Sequence, residues 1–290
     1  MSDSKTLRLH FPQWQGGNNE AYHFGSQMLA FLAPDPKGPV EEVPVSRPTG
    51  NELAEEEGLR GRSQLLDQLH SAKAIIEKHQ PDNIVVLGGD CLVDLAPFNY
   101  LNEKYEGDLG IIWVDAHPDI LTPEQYNHAH AMVLGNLMGI GDDEFKAVVK
   151  TPVKPENVIF AGLGATLPYE TDFIQKNNMA FAGPEELAET SAPVTDWIKA
   201  KGITKVAIHL DLDVMSIADF GSLYFAERDV PADKFEGLTQ GAMKLAAVQR
   251  LINDIADCSV EVVGLGVTEH LPWDALRLKN MLASFPLLGA

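Results

Sequence analysis

The sequence predicts an α/β fold with a mostly parallel central sheet. Three observations carry that expectation. Apolar β-rich runs alternate with amphipathic helical stretches along the chain. Several runs are continuously apolar, as strands buried on both faces must be. Polar groups able to do chemistry follow directly after four of those runs, on the carboxyl edge where open parallel sheets bind ligands. With 290 residues and 45% hydrophobic content the chain can fill the core of one large domain, and residues 1–290 read as a single unit with no internal join, repeat or low-complexity segment.

In order, the expected strands are TLRLHF (6–11), EEVPV (41–45), NIVVLG (83–88), LGIIWVD (109–115), ENVIFAG (156–162), the short MAFAG (179–183), KVAIHLD (205–211) and EVVGLGV (261–267). Helical periodicity is expected over 51–78, 94–104, 130–140, 184–189, 194–201, 237–256 and 273–283. No apolar run reaches membrane-spanning length, and the start lacks the basic and apolar regions of a secretory signal, so a cytoplasmic protein is expected. Two cysteines, Cys91 and Cys258, make no disulfide framework. A net charge of −20 argues against nucleic acid or anionic membranes as partners and favours a small cationic substrate.

Two acidic runs carry the functional signal: Trp113-Val114-Asp115-Ala116-His117-Pro118-Asp119 and His209-Leu210-Asp211-Leu212-Asp213, each at the end of an apolar strand. Side chains two residues apart on an extended backbone point the same way. Asp115, His117 and Asp119 can therefore converge, as can Asp211 and Asp213. So many carboxylates at neighbouring strand ends need a cationic partner, and one divalent ion, or better two, supplies it. A lone DxD more often caps a helix; it is the pairing with the first run that favours a metal site. Gly88-Gly89-Asp90-Cys91 and Thr268-Glu269-His270-Leu271-Pro272 occupy the same rim. The glycine pair lets the backbone turn and approach closely, but the spacing is not that of a phosphate loop.

These residues resemble the ureohydrolase (arginase and agmatinase) superfamily, which carries GGDH, DAHxD, SxDxDxxDP and a late E-x-x-P in this order. The opening FPQWQGG is similar to a bacterial branch of arginase-like proteins. The resemblance implies a three-layer α/β/α arginase-like fold, a binuclear manganese centre, a trimer or hexamer, and metal-dependent hydrolysis of a C–N bond in a linear guanidine or amidine by a metal-activated hydroxide, releasing urea. It implies bridging roles for Asp115 and Asp211, first-metal ligation by Asp119, and second-metal ligation by His117 and Asp213. Glu269 corresponds to the carboxylate that grips the guanidinium, and Asp119 or the bridging carboxylates would hold the hydroxide. His130 corresponds to the proton shuttle, with His128 as its competitor two residues away.

The chain departs from that pattern in three places. Cys91 replaces the first histidine ligand; as a thiolate it would favour zinc, iron, cobalt or nickel over manganese, and as a buried thiol it would leave the first metal weak or missing. The trailing Asp-Pro after Asp213 is replaced by Ser216-Ile217, and the segment 120–129 lacks the Ser-x-Asn pattern that grips an α-amino acid, so agmatine-like guanidines fit as well as arginine. Glu227 and Asp229 are candidates to meet a cationic tail. The alternative function is a non-catalytic arginase-fold binding protein with a degenerate metal site; cysteine-nucleophile chemistry at Cys91 is a third reading.

Overall fold

The computed structural model describes residues 4–287. Its strands are β1 (Thr6–Phe11), β2 (Val40–Glu42), the halves of a small antiparallel hairpin β3 (Glu55–Glu56) and β4 (Leu59–Arg60), β5 (Asn83–Gly88), β6 (Gly110–Val114), β7 (Val158–Ala161), β8 (Ala180–Ala182), β9 (Lys205–Asp211) and β10 (Glu261–Thr268). Its helices are α1 (Ala21–Leu32), α2 (Arg62–His79), α3 (Leu95–Lys104), α4 (Val133–Leu137), α5 (Asp143–Ala147), α6 (Pro168–Lys176), α7 (Ala192–Lys201), α8 (Leu245–Ala256) and α9 (Trp273–Ala283). Among the described residues, eight strands form one parallel sheet in the order β2-β1-β5-β10-β9-β6-β7-β8.

The period of two along each strand divides the core. In β6, Ile111 and Trp113 enter one apolar cluster, shared with Leu65 and Leu69 of α2, Phe98 and Leu101 of α3 and Leu134 of α4. Ile112 and Val114 face the opposite cluster, with Val194 and Ile198 of α7 and Leu251 and Ile255 of α8. Helices thus cover both faces of the sheet, giving three layers, and the central strands are apolar throughout because both their faces are buried. Among the described residues no helix is long and apolar enough to cross a membrane.

Strand order places the site. After β5 the chain crosses through α3 to β6, three positions away, and later returns to insert β9 and β10 between them. The carboxyl ends of β5, β10, β9 and β6 therefore lie side by side, and their four loops are the ones that carry the polar motifs.

Several expected helices differ from the observed ones. The helix expected from 51 begins at Arg62, because residues 55–60 form the β3–β4 hairpin, closed by Gly58 at φ 84°. The stretch 130–140 divides into a 3₁₀ turn (Ala129–Met132) and α4. Residues 184–189 form turns, and α8 begins at Leu245 rather than at 237. Helices α1, α5 and α6 were not anticipated.

At the end of β5 the backbone runs against another strand exit. A Cβ on Gly89 would lie 1.7 Å from the carbonyl oxygen of Gln13, while the N–H of Asp90 donates to that same oxygen at 3.0 Å. Only glycine permits this approach. We expect Gly89→Ala to cost about 3 kcal/mol, at the upper end of overpacking penalties because the clash is with backbone. Urea unfolding reads this as a lowered midpoint; an unchanged midpoint would mean that this loop is not held against Gln13.

Candidate metal centre

Each loop delivers its side chains by a local device. Beyond β5, Asp90 caps a 3₁₀ turn through the Leu92 N–H (3.1 Å), which turns Cys91 inward, fully enclosed. Beyond β6, the Asp115 carboxylate accepts from the His117 N–H at 2.7 Å, curling the DAHPD run back on itself. Asp211 does the same with the Asp213 N–H at 2.6 Å. Beyond β10, the Glu269 N–H donates to the Gly89 carbonyl at 2.7 Å, pinning that loop to the end of β5. Asp119 (φ 50°) and Glu269 (φ 61°) both adopt the left-handed backbone region, which costs a non-glycine residue of order 1 kcal/mol or more.

The sequence-predicted residues converge. Asp115, Asp119, Asp211, Asp213, Glu269 and Cys91 are all buried, and His117 and His130 form the more open lip, with side chains 35% and 21% exposed. Three overlapping groups have donor atoms within 4.8 Å of one another: Cys91, Asp115, His209 and Asp211; Asp115, His117 and Asp213; and Asp211, Asp213 and Glu269. His130 joins Cys91 and Glu269 in a fourth. Asp119 enters none of these groups; it lies buried, with Oδ2 lacking any hydrogen-bond partner in the protein. His128 instead meets the Tyr126 hydroxyl through Nδ1 at 2.9 Å, and burial chiefly, with His130 and Arg60, lowers its pKa to about 4. Glu227 is paired with Lys234, and Asp229 with Arg277 at 3.1 Å, so both proposed tail contacts are already neutralised.

Four residues to which the sequence reading gave no role complete the centre. The Tyr22 hydroxyl of α1 donates to Glu269 Oε2 at 2.7 Å, and His130 Nδ1 lies 2.9 Å from Glu269 Oε1. Trp113 Nε1 donates to Asp115 Oδ2 at 3.2 Å. His209, two residues before Asp211 on β9 and on the same face, is fully enclosed, and its Nδ1 meets Asp94 Oδ2 at 2.7 Å. The period of two could have identified His209, as it identified Asp213. Nothing local could have identified Tyr22, 247 residues from its partner.

Electrostatics sets the character of the cluster. Burial first, then neighbouring carboxylates, push Asp119 and Asp211 well above the usual carboxylate range. Asp115 is raised by burial, with His117 opposing. Burial would raise Asp213 too, but His117 outweighs it and holds the carboxyl low. His117 itself loses from burial and gains more from Asp213 and Asp115, so its pKa stands well above 6.5. Its Nε2 lies 3.2 Å from the Thr239 carbonyl, which assigns a proton there and turns Nδ1 towards Asp213 (3.2 Å) and Asp115 (3.5 Å). The Cys91 thiol is raised by burial and then by Asp211 and Glu269, and its Sγ donates to Asp211 Oδ2 at 3.0 Å.

The donor set fits divalent cations. Carboxylate oxygens, imidazole nitrogens and a thiol lie in overlapping groups that share Asp115 and Asp211, and Asp119 Oδ2, Asp213 Oδ1 and His209 Nε2 are buried without a hydrogen-bond partner in the protein. Divalent cations held in these groups would give His209 and Asp213 the partners they lack and invert the local proton affinities, since a coordinated thiol gives up its proton.

Known proteins share this fold. The model of the arginase family matches residues 50–222. The chain is 26% identical over 239 residues to an arginase of Staphylococcus aureus (strain MRSA252), covering 75% of this chain and 79% of that one. Among solved structures, the arginase of Entamoeba histolytica in complex with L-ornithine superposes with a TM-score of 0.76 at 18% identity, covering 94% of this chain and 92% of that one. The arginase of Bacillus caldovelox gives 0.73 at 18% identity, covering 98% and 99%. These structural likenesses confirm the three-layer fold that the sequence resemblance implied.

The raised carboxylates imply a pH signature. A carboxyl whose pKa is higher folded than unfolded binds more protons when folded, so its stabilisation holds at low pH and is lost as pH climbs above about 4. Asp115, Asp119 and Asp211 act in this sense, and so does His117 at higher pH; Asp213, held low, opposes them. We expect the Tm of chelator-treated protein, by calorimetry, to fall between about pH 5 and 8 more steeply than that of protein supplied with divalent cation. Parallel curves would mean that these carboxylates are not the cation's ligands.

Proposed function

Because the chain belongs to the arginase family, we propose that it is a metal-dependent ureohydrolase-like enzyme that cleaves a C–N bond of a linear guanidinium or amidine. The observation that carries this reading is the placement of Glu269: its buried carboxylate is held by Tyr22 and His130 directly beside Cys91, Asp211 and Asp213. A carboxylate fixed through both oxygens at the edge of a metal-ligand cluster suits a planar cation, and each oxygen keeps a second lone pair for it.

Cys91, Asp115 and Asp211 would hold one ion, with Asp119 beside them. Asp115, Asp211, His117 and Asp213 would hold the other. Divalent ions there supply Lewis acidity and activate water as the nucleophile at neutral pH. Glu269 orients the guanidinium so that its central carbon faces the cluster, prepaying much of the entropy of approach. Water adds to that carbon and the bond to the substrate's amine breaks, leaving urea or an amide-like product. His130, with Nδ1 on Glu269 Oε1, carries the proton for the departing nitrogen at its other ring nitrogen. Burial lowers the pKa of His130, but the hydrogen bond and charge of Glu269 outweigh it and raise the pKa, as a proton donor to an amine needs. The thiol at Cys91 favours zinc, iron, cobalt or nickel over the manganese of the wider family. With Ser216-Ile217 in the loop and no Ser-x-Asn pattern in 120–129, an agmatine-like substrate fits as well as arginine. The dense, largely buried donor set favours an enzyme over a degenerate binding protein.

Urea or amine release from a panel of guanidino and amidino compounds tests this, using protein reconstituted with each metal. We expect Glu269→Gln to lower kcat/KM by about 100-fold or more while the metal stays bound, a buried charge contact being worth roughly 2–5 kcal/mol. Asp115→Asn and Asp211→Asn should lose both metal and turnover. Full activity in either aspartate variant would end this scheme.

A further inference from the structure

The arginase-like motif around Asp211 has serine two residues earlier, where this chain has His209, and the GGD motif has histidine where this chain has Cys91. Both departures fall in the same place. Cys91, Asp115, Asp211 and a ring nitrogen of His209 form the one group of four donors within 4.8 Å of one another among the described residues. We infer that His209 Nε2 is a ligand of the ion held by Cys91, Asp115 and Asp211, so that an imidazole displaced from the β5 loop is supplied again from β9. This inference rests on the reading of the cluster as a metal centre.

The surroundings of His209 are built for that task. The ring is fully enclosed, stacked on Trp113 with centroids 3.8 Å apart and planes 13° from parallel. Asp94, also fully enclosed, takes Nδ1 at 2.7 Å and so fixes the ring's orientation. Nε2 lies 3.8 Å from Asp115 Oδ2, too long for a hydrogen bond, and has no partner in the protein. The room for Asp94 comes from Gly266, the residue opposite His209 on β10: a Cβ there would lie 1.8 Å from Asp94 Oδ2. A carboxylate behind an imidazole whose other nitrogen faces a donor cluster is the arrangement that tunes histidine ligands to metals. A histidine kept only for packing would pair its second nitrogen, the acceptor of the neutral ring, with a hydrogen-bond donor.

The test uses cadmium-113 as the probe ion in the whole protein, with histidine and cysteine isotopically labelled. We expect one bound cadmium to show scalar coupling both to the His209 ring protons and to the Cys91 β protons. In zinc titrations against a chromophoric chelator, the native protein should take up two ions. His209→Gln should then bind one of them at least about 100-fold more weakly, and Asp94→Asn, which keeps the ring but frees it, about 10–100-fold more weakly. Cadmium coupled to Cys91 but not to His209, or unchanged affinity for two ions in His209→Gln, would overturn the inference and leave the proposed function standing. A native protein that takes up no ion would overturn both. The coupling measurement needs no variant, so it decides the question even if His209→Gln fails to fold.

Discussion

The structure depends on one electrostatic constraint: negative charge is concentrated where a parallel sheet is most deeply covered. Asp115, Asp119, Asp211, Asp213 and Glu269 are buried together at the ends of three adjacent strands. Two unit charges 4 Å apart interact by about 4 kcal/mol even at an effective dielectric near 20, so such a cluster cannot be left to repel itself. The response is visible group by group. His117 leans on Asp213 and Asp115, His130 on Glu269, and the Cys91 thiol donates to Asp211. The carboxylates with no cation beside them are the ones pushed furthest towards protonation.

Meeting that constraint strains the backbone at two points, both in the site. Asp119 and Glu269 take left-handed conformations that aspartate tolerates more readily than glutamate does. For Glu269 the strain is held from both directions: its N–H is tied to Gly89, and its carboxylate is tied to Tyr22 and His130. A residue held in an unfavoured conformation by three separate elements is what a pre-organised site requires. It also explains why the Gly89 loop is packed without space, since the anchor of Glu269 is the carbonyl of Gly89 itself.

What could be read from the sequence follows the range of the interactions involved. The central strands were legible because double burial leaves a continuous apolar run, and the DAHPD and DLD runs were legible because alternation along a strand is a local rule. Helix α1 was not, for its sequence AYHFGSQMLAFL is apolar on most sides and carries a central glycine, so no stripe stands out. The helix expected from residue 51 lost its first turns to a hairpin whose glycines impose turns. Tyr22 reaches Glu269 only because α1 packs over β5, and no pattern along the chain encodes that contact. His209 was hidden by its neighbours: within KVAIHLD it reads as one polar residue in a buried strand, and its meaning depends on Asp94 and Cys91 from another strand's exit.

The same geometry accounts for a substitution pattern that looks degenerate in one dimension. Taken alone, cysteine at the end of GGD weakens the case for a first metal. In three dimensions the β5 exit and the inward face of β9 look into one volume, since only β10 separates their strands. Alternation puts Ala207, His209 and Asp211 on the same side of β9, so the position two before Asp211 is the nearest one from which a side chain as long as imidazole can face that volume. An exchange of serine for histidine there and of histidine for cysteine across from it keeps an imidazole among the donors and adds a sulfur. The donor set becomes softer, not smaller. A centre that had lost its metal would have no reason to keep Asp94 buried behind that imidazole, or to keep Gly266 free of a side chain to make room for it.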